Sequence, residues 1–242
     1  GTTGASAGFY IDDAALKFRE AELLLHWKRN GFKAGFQKAI FYRAGVFVNA
    51  DSKSKSPYRY DLARKILYLS SYYSSEETFE KYYEVMQSWK ANFLLGLPSS
   101  IYLFALYLKQ KSLKLNFKYV FSSSEQLYQY QEEIFNEVFN CKTIDHYGHC
   151  EPGNFCAGRC KYGNYHINPL TSFSEITSTG KLLETSLINR SQPFIRYEVG
   201  DQIEGLQIDG CECGRKGPYF KKVLGRESEI ISLTDGRQIS SI

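Results

Sequence analysis

Between Lys38 and Asp145 short apolar stretches alternate with longer amphipathic ones, and this alternation limits the fold more than any other feature. Lys38 to Val48, Ile66 to Tyr73, Phe93 to Leu97, Phe117 to Phe121 and Lys142 to Asp145 read as strands. Between them the spacing predicts helices from Ser74 to Lys90, opened by a Ser74/Glu77 capping box, from Ser99 or Ser100 to Lys111, and from Glu125 to Asn140. An earlier helix runs from an Asp12-Asp13 cap to Asn30, is stopped by Gly31, and carries Leu16, Leu23, Leu24 and Trp27 on its apolar side. Ala50 to Tyr60, polar and holding Pro57, reads as a loop. Strands alternating with helices favour a mostly parallel sheet covered by helices, an α/β fold. After Glu151 the pattern changes: Gly, Pro and Asn punctuate short strands at 165–168, 173–177, 181–188, 193–197 and 201–208, which predicts a β-rich subdomain. The expected organisation is 1–150 as an α/β nucleotide-binding part, 151–224 as the β-rich subdomain, and 225–242 as a hinge and the start of a truncated domain.

Composition narrows the function classes. A net charge of +4 on 242 residues is too small to argue for nucleic acid. The basic stretch from Lys53 to Arg64 is interleaved with Ser and Tyr and reads as a solvated loop. The longest apolar run, Phe93 to Leu108, is interrupted by Gly96, Pro98, Ser99 and Ser100, so no membrane span is expected. The six cysteines all lie in the second half of a chain that is neither short nor led by a signal peptide, which favours a reduced, cytoplasmic setting over a disulfide scaffold. The opening on a Gly-Thr-Thr-Gly turn and the close on Asp235-Gly236-Arg237-Gln238-Ile239 read as cut ends.

Three stretches carry chemistry. Gly1-Thr2-Thr3-Gly4 is a small, hydroxylated turn whose backbone N–H groups and hydroxyls suit phosphate, although no Gly-Lys-Ser/Thr follows. Tyr147-Gly148-His149-Cys150-Glu151 follows a strand and presents one carboxylate, suited to Mg2+ that also holds phosphate oxygens. Arg196-Tyr197-Glu198-Val199-Gly200-Asp201 ends on a carboxylate that can accept from two hydroxyls.

Taken in order, these stretches resemble the adenylate-forming, acyl-CoA synthetase-like superfamily. Gly1 to Gly4 is similar to its phosphate loop, Tyr147-Gly148-x-x-Glu151 to its Tyr-Gly-x-Thr/Ser-Glu motif, and Arg196-Tyr197-x-x-Gly200-Asp201 to its Arg-Tyr-x-Thr-Gly-Asp motif. Gly225-Arg226 with Glu227 and Glu229 is similar to the hinge before its small C-terminal domain. Leu95-Gly96-Leu97-Pro98-Ser99-Ser100, the Cys-rich insert ending at His166-Ile167-Asn168-Pro169, and Cys211-Glu212-Cys213-Gly214-Arg215 resemble the phenylacetate–CoA ligase group, in particular its CapK-like capsular-polysaccharide branch.

The resemblance implies that ATP activates a substrate carboxylate to an acyl-adenylate, which passes to CoA or to an amine or hydroxyl acceptor. Thr2, Thr3, Gly1 and Gly4 would hold the β- and γ-phosphates and Glu151 the Mg2+. Asp201 would take the ribose hydroxyls, and Tyr147, beside Gly148, would stack on adenine. Ser123, Ser124 and Glu125 would line the adenine pocket, with an ordinary helix cap as their alternative. Arg196 is either a phosphate contact or a structural ion pair. Arg226 would reach the nucleotide as a lid swings. The expected partners are ATP and a small carboxylate, and a homodimer is allowed. Ala5 and Ser6 stand where the family has Lys and Pro, and Cys150 replaces the hydroxyl residue before Glu151. The C-terminal catalytic Lys falls beyond the chain. These departures support an alternative, a non-catalytic nucleotide-binding or zinc-stapled scaffold.

Cys156, Cys160, His166, Cys211 and Cys213 give five ligands in two short clusters where structural Zn2+ takes four, and the resemblance to the related branch favours Cys160, His166, Cys211 and Cys213, with Cys156 as the spare. The alternative is a set of buried thiols acting as small hydrophobes. His149 reads as a structural histidine near the acyl pocket, with a general-base role as the other option.

Overall fold

In the computed structural model, residues 8–43, 56–149, 151, 155–226, 230–232 and 238–240 are described. They divide into two compact units, His26–Asp145 and residues 1–25 with 146–242.

The His26–Asp145 unit is built on a sheet whose order is β2 (Tyr58–Asp61), β3 (Ile66–Ser70), β1 (Ala39–Arg43), β4 (Phe93–Gly96) and β5 (Tyr119–Ser123). β3–β1, β1–β4 and β4–β5 pair in parallel, and only the edge strand β2 runs antiparallel. The alternation along β1 fixes its two faces. Ile40 and Tyr42 enter a core with Tyr82 of helix α2 (Glu76–Trp89), Phe104 of α3 (Pro98–Gln110) and Phe135 of α4 (Gln129–Phe139). Phe41 lies on the other face, where its ring meets Tyr68 at 5.7 Å and Trp27 at 5.7 Å. Gly96 lets β4 pass β1 closely, since a Cβ there would stand 2.5 Å from the Tyr42 carbonyl oxygen.

The second unit is antiparallel. β7 (Phe155–Arg159), β8 (Tyr165–Ile167) and β12 (Tyr219–Phe220) pair in that order beside the end of β6 (Lys142–Gly148). A separate sheet runs β13 (Lys222–Arg226), β11 (Tyr197–Glu204), β10 (Lys181–Ser186) and β9 (Ser172–Ile176). Ala157, Ile167, Leu182, Val199, Ile203 and Phe220 form its core. β14 (Ile230–Ser232) and β15 (Gln238–Ser240) pair with each other. The α/β class with a β-rich part following it is thus the observed architecture. Among the described residues no helix is long and apolar enough to cross a membrane.

Several local expectations are corrected. Tyr58–Asp61, expected as loop, is strand β2, because an Asp61–Lys65 turn, with Lys65 at φ 58°, folds it back onto β3. Helix α1 (Asp13–Arg29) buries Ala15, Glu22, His26 and Trp27 and leaves Leu16 and Leu24 exposed. Glu22 turns inward because its carboxylate accepts from the Thr171 hydroxyl at 3.0 Å and from the Asn168 amide. The cap of α2 is Ser75, one residue later than expected, accepting from Thr78 N at 3.2 Å. α4 starts at Gln129, four residues after Glu125, because Tyr128 is its N-cap residue and the Gln131 side chain accepts from the Tyr128 backbone N–H.

The helix-covered core makes a direct prediction. Phe104 is fully buried and packs against Tyr42, Phe79 and Tyr82. Phe104→Ala is expected to lower unfolding free energy by about 3–5 kcal/mol in urea denaturation. A change below about 1 kcal/mol would contradict this packing.

Candidate nucleotide and metal site

The second unit gathers Tyr147, Asp201 and Arg226 from three strands. Asp201 and Arg226 are cross-strand partners of β11 and β13. The Arg226 Nε lies 3.3 Å from one Asp201 carboxylate oxygen, and the Tyr147 hydroxyl donates to the other at 2.5 Å. Gly200 allows this. It sits at φ 84° inside β11 rather than in a hairpin turn, where the pairing with β10 slips register between Glu198 and Gln202. Such an irregularity re-aims the next side chain. Asp201 is only 8% exposed, so the ionised carboxylate depends on both donors. The Tyr147 ring is held edge-on by Phe220 at 5.8 Å and by His149 at 6.0 Å.

Glu151 belongs to the same neighbourhood. Burial pushes the His149 imidazole down to about 4, while Glu151 raises it and Arg226 lowers it. Burial likewise raises the Tyr197 phenol, with Glu151 adding to the rise and Arg226 opposing it. At neutral pH His149 is therefore an uncharged imidazole that feels both the Glu151 carboxylate and the Arg226 guanidinium.

Other expected residues fall elsewhere. Arg196 is largely exposed, and its Nε lies 3.1 Å from a Glu175 carboxylate oxygen. Gly148 is exposed and pairs with Phe155. Ser123, Ser124 and Glu125 belong to the other unit. There Ser123 is buried at the end of β5 and Ser124 takes φ 72°. The Glu125 carboxylate accepts from the Ser99 backbone N–H and hydroxyl, both at 2.9 Å, and so caps α3 in place of the expected Ser99 or Ser100 side chain. Gly1, Thr2, Thr3, Gly4, Cys150, Glu227 and Glu229 lie outside the described residues, as does the side chain of Cys156. Sequence spacing missed the Tyr147–Asp201 bond, since the pair is 54 residues apart and nothing local marks it.

The four residues Cys160, His166, Cys211 and Cys213 come together, with all ligand atoms within 4.8 Å of one another. Two tight turns present them: Gly163 N–H bonds to the Cys160 carbonyl at 2.9 Å and Gly214 N–H to the Cys211 carbonyl at 3.0 Å. Pairing of Tyr219 with His166 joins the two arms, and the rings stack at 5.4 Å. The Cys160 and Cys211 sulfurs are 3.9 Å apart, against about 3.8 Å for the edge of a tetrahedron of thiolates around zinc. The Asn164 amide donates to the Cys211 sulfur at 3.3 Å. Donor chemistry, spacing and burial all fit a four-coordinate structural metal.

No family model matches the chain. Over 237 residues, 96% of its length, it is 23% identical to Protein CapK of Staphylococcus aureus. It spans about half of that relative, 52%. A 2-hydroxyisobutyryl-CoA ligase crystallised in the postadenylation state superposes with a TM-score of 0.70 at 16% identity, covering 93% of this chain and 50% of that one. Coronafacic acid ligase from Pectobacterium brasiliense gives a TM-score of 0.54 at 15% identity, covering 98% and 51%. The chain has the fold of the large domain of adenylate-forming enzymes and resembles CapK along nearly its whole length.

Because the Glu125 carboxylate is a helix cap, Glu125→Ala is expected to lower stability by about 0.5–2 kcal/mol, read by urea denaturation. An unchanged midpoint would remove the capping role.

Proposed function

We propose that this chain supplies the nucleotide-holding part of an AMP-forming carboxylate ligase. A carboxylate attacks the α-phosphorus of ATP, pyrophosphate leaves, and the acyl-adenylate then passes to CoA or to an amine or hydroxyl acceptor. The observation that carries this reading is the Asp201 carboxylate, held between the Tyr147 hydroxyl and the Arg226 guanidinium in a chain with the ligase fold. An ionised carboxylate only accepts hydrogen bonds, which suits the two hydroxyls of a ribose. Tyr147 and Arg226 keep the carboxylate oriented before the nucleotide arrives, which lowers the ordering cost of binding. Charge on the phosphates would be met by Arg226 and by the loop from Gly1 to Gly4. Glu151 is the residue suited to hold Mg2+, which supplies neutralisation of phosphate charge when bound. His149, uncharged, adds no competing cation beside it.

A role in polysaccharide biosynthesis rests on the motif resemblance to the capsular-polysaccharide branch, and a cytoplasmic setting on the cysteine usage. The Cys160–His166–Cys211–Cys213 cluster would hold Zn2+ in a structural role, since four protein ligands leave no open position. A second reading, a nucleotide binder that does not catalyse, is favoured by Ala5 and Ser6 in the phosphate loop and by Cys150 before Glu151.

Asp201→Asn is expected to weaken Mg-ATP binding by about tenfold to a hundredfold in calorimetry, the loss of a charge-assisted bond. Unchanged affinity would overturn the assignment. Carboxylate-dependent pyrophosphate exchange by the full-length protein separates the two readings: exchange is expected for the ligase and absent for the non-catalytic binder. Freshly purified protein is expected to carry about one equivalent of zinc, and Cys211→Ser to lose it. Less than about half an equivalent in the unmodified protein would argue against the metal.

A further inference from the structure

The parallel strands of the His26–Asp145 unit end in a row of residues that the Asp201 site does not use. On the face that carries Phe41, Tyr68 and Phe121, the next residues toward the carboxyl ends are Arg43 of β1, Ser70 of β3 and Ser123 of β5. Register fixes this row: Arg43 pairs with Ser70, and the Ser71 N–H bonds to the Arg43 carbonyl at 3.0 Å. Ser70 and Ser123 are buried, while Arg43 is half-buried at the lip. Carboxyl ends of parallel strands are where ligands of such sheets collect.

Arg43 differs from every other cation near this face. Arg59 lies over the Tyr68 ring at 5.2 Å. Arg64 reaches Asp61 at 3.6 Å, at the other end of β3 from Ser70. Asp145 accepts from the Ser122 hydroxyl at 2.5 Å, and Ser122 projects to the opposite face from Ser123. Among the described residues Arg43 has no ion pair, no side-chain hydrogen bond and no ring contact. The environment acting on its guanidinium is burial, which pulls its pKa down. Among the described residues it faces no counter-charge, and a desolvated cation in that state is costly.

We propose that Arg43 is the anchor of an oxyanion-binding site, one that takes a carboxylate or phosphate group of a small ligand at the carboxyl edge of the parallel sheet. The planar guanidinium fork binds such a group through two parallel N–H bonds, and the buried Ser70 paired with it brings no negative charge. Two sources of the group are distinguishable: an organic acid, which would make Arg43 a specificity residue for the acyl substrate, or the phosphates of the nucleotide. The site itself does not rest on the ligase reading, and failure of pyrophosphate exchange would leave it standing.

The test uses the intact protein, Arg43→Met and Arg43→Lys, at matched ionic strength. Thermal unfolding and calorimetry are recorded with benzoate, inorganic phosphate and ATP as separate probes. Without added anion, Arg43→Met is expected to unfold about 2–4 °C higher than the unmodified protein, because an unpaired charge has left a half-dry position. At least one probe is expected to stabilise the unmodified protein, with affinity falling about tenfold to a hundredfold in Arg43→Met and less in Arg43→Lys. A benzoate-only effect identifies the organic acid, and an effect of phosphate or ATP identifies the nucleotide. If Arg43→Met fails to fold, the Arg43→Lys comparison decides. Equal response of all proteins to every probe would overturn the proposal.

Discussion

The second unit turns on an ion pair that must form across two strands. Asp201 is nearly buried, and a carboxylate in that position is tolerable only with donors on both oxygens. Arg226 supplies one from the facing strand and Tyr147 the other from β6. The pair thereby fixes the register of β11 against β13 and the orientation of the Tyr147 ring against Phe220. The same carboxylate is the one proposed to receive the ribose hydroxyls, which links the folding constraint to the proposed binding role.

Much of the α/β part was legible because period and punctuation agreed. β4 and its flanking helices are bounded by Ser, Pro and Gly at the places where the chain turns. The Cys/His set was legible for a different reason: soft ligands are rare, and two short clusters in one chain leave few partners for each. The structure brings those four side chains together across 51 residues between Cys160 and Cys211.

What could not be read depended on contacts distant in sequence. The face that α1 buries includes Glu22, which bonds to Asn168 and Thr171, so an apolar count found Trp27 but misplaced Leu16 and Leu24. Glu125 looked like the first turn of its own helix, yet its carboxylate caps a different one at Ser99, 26 residues earlier. The aim of Asp201 has no local mark, and the register slip against β10 reveals the strand irregularity that sets it. Arg43 gave no local signal, because which described residues lie near its guanidinium is a property of the folded sheet.

The two units thus offer polar features of different kinds, one a carboxylate held by Tyr147 and Arg226 and the other a cation without a counter-charge among the described residues. The central claim concerns the first, and its most direct measurement is the affinity ratio of ATP to 2′,3′-dideoxy-ATP in the presence of Mg2+. If the Asp201 carboxylate receives both ribose hydroxyls, the dideoxy nucleotide binds about tenfold or more weakly, and that preference disappears in Asp201→Asn. Equal affinities for the two nucleotides in the unmodified protein would contradict the account.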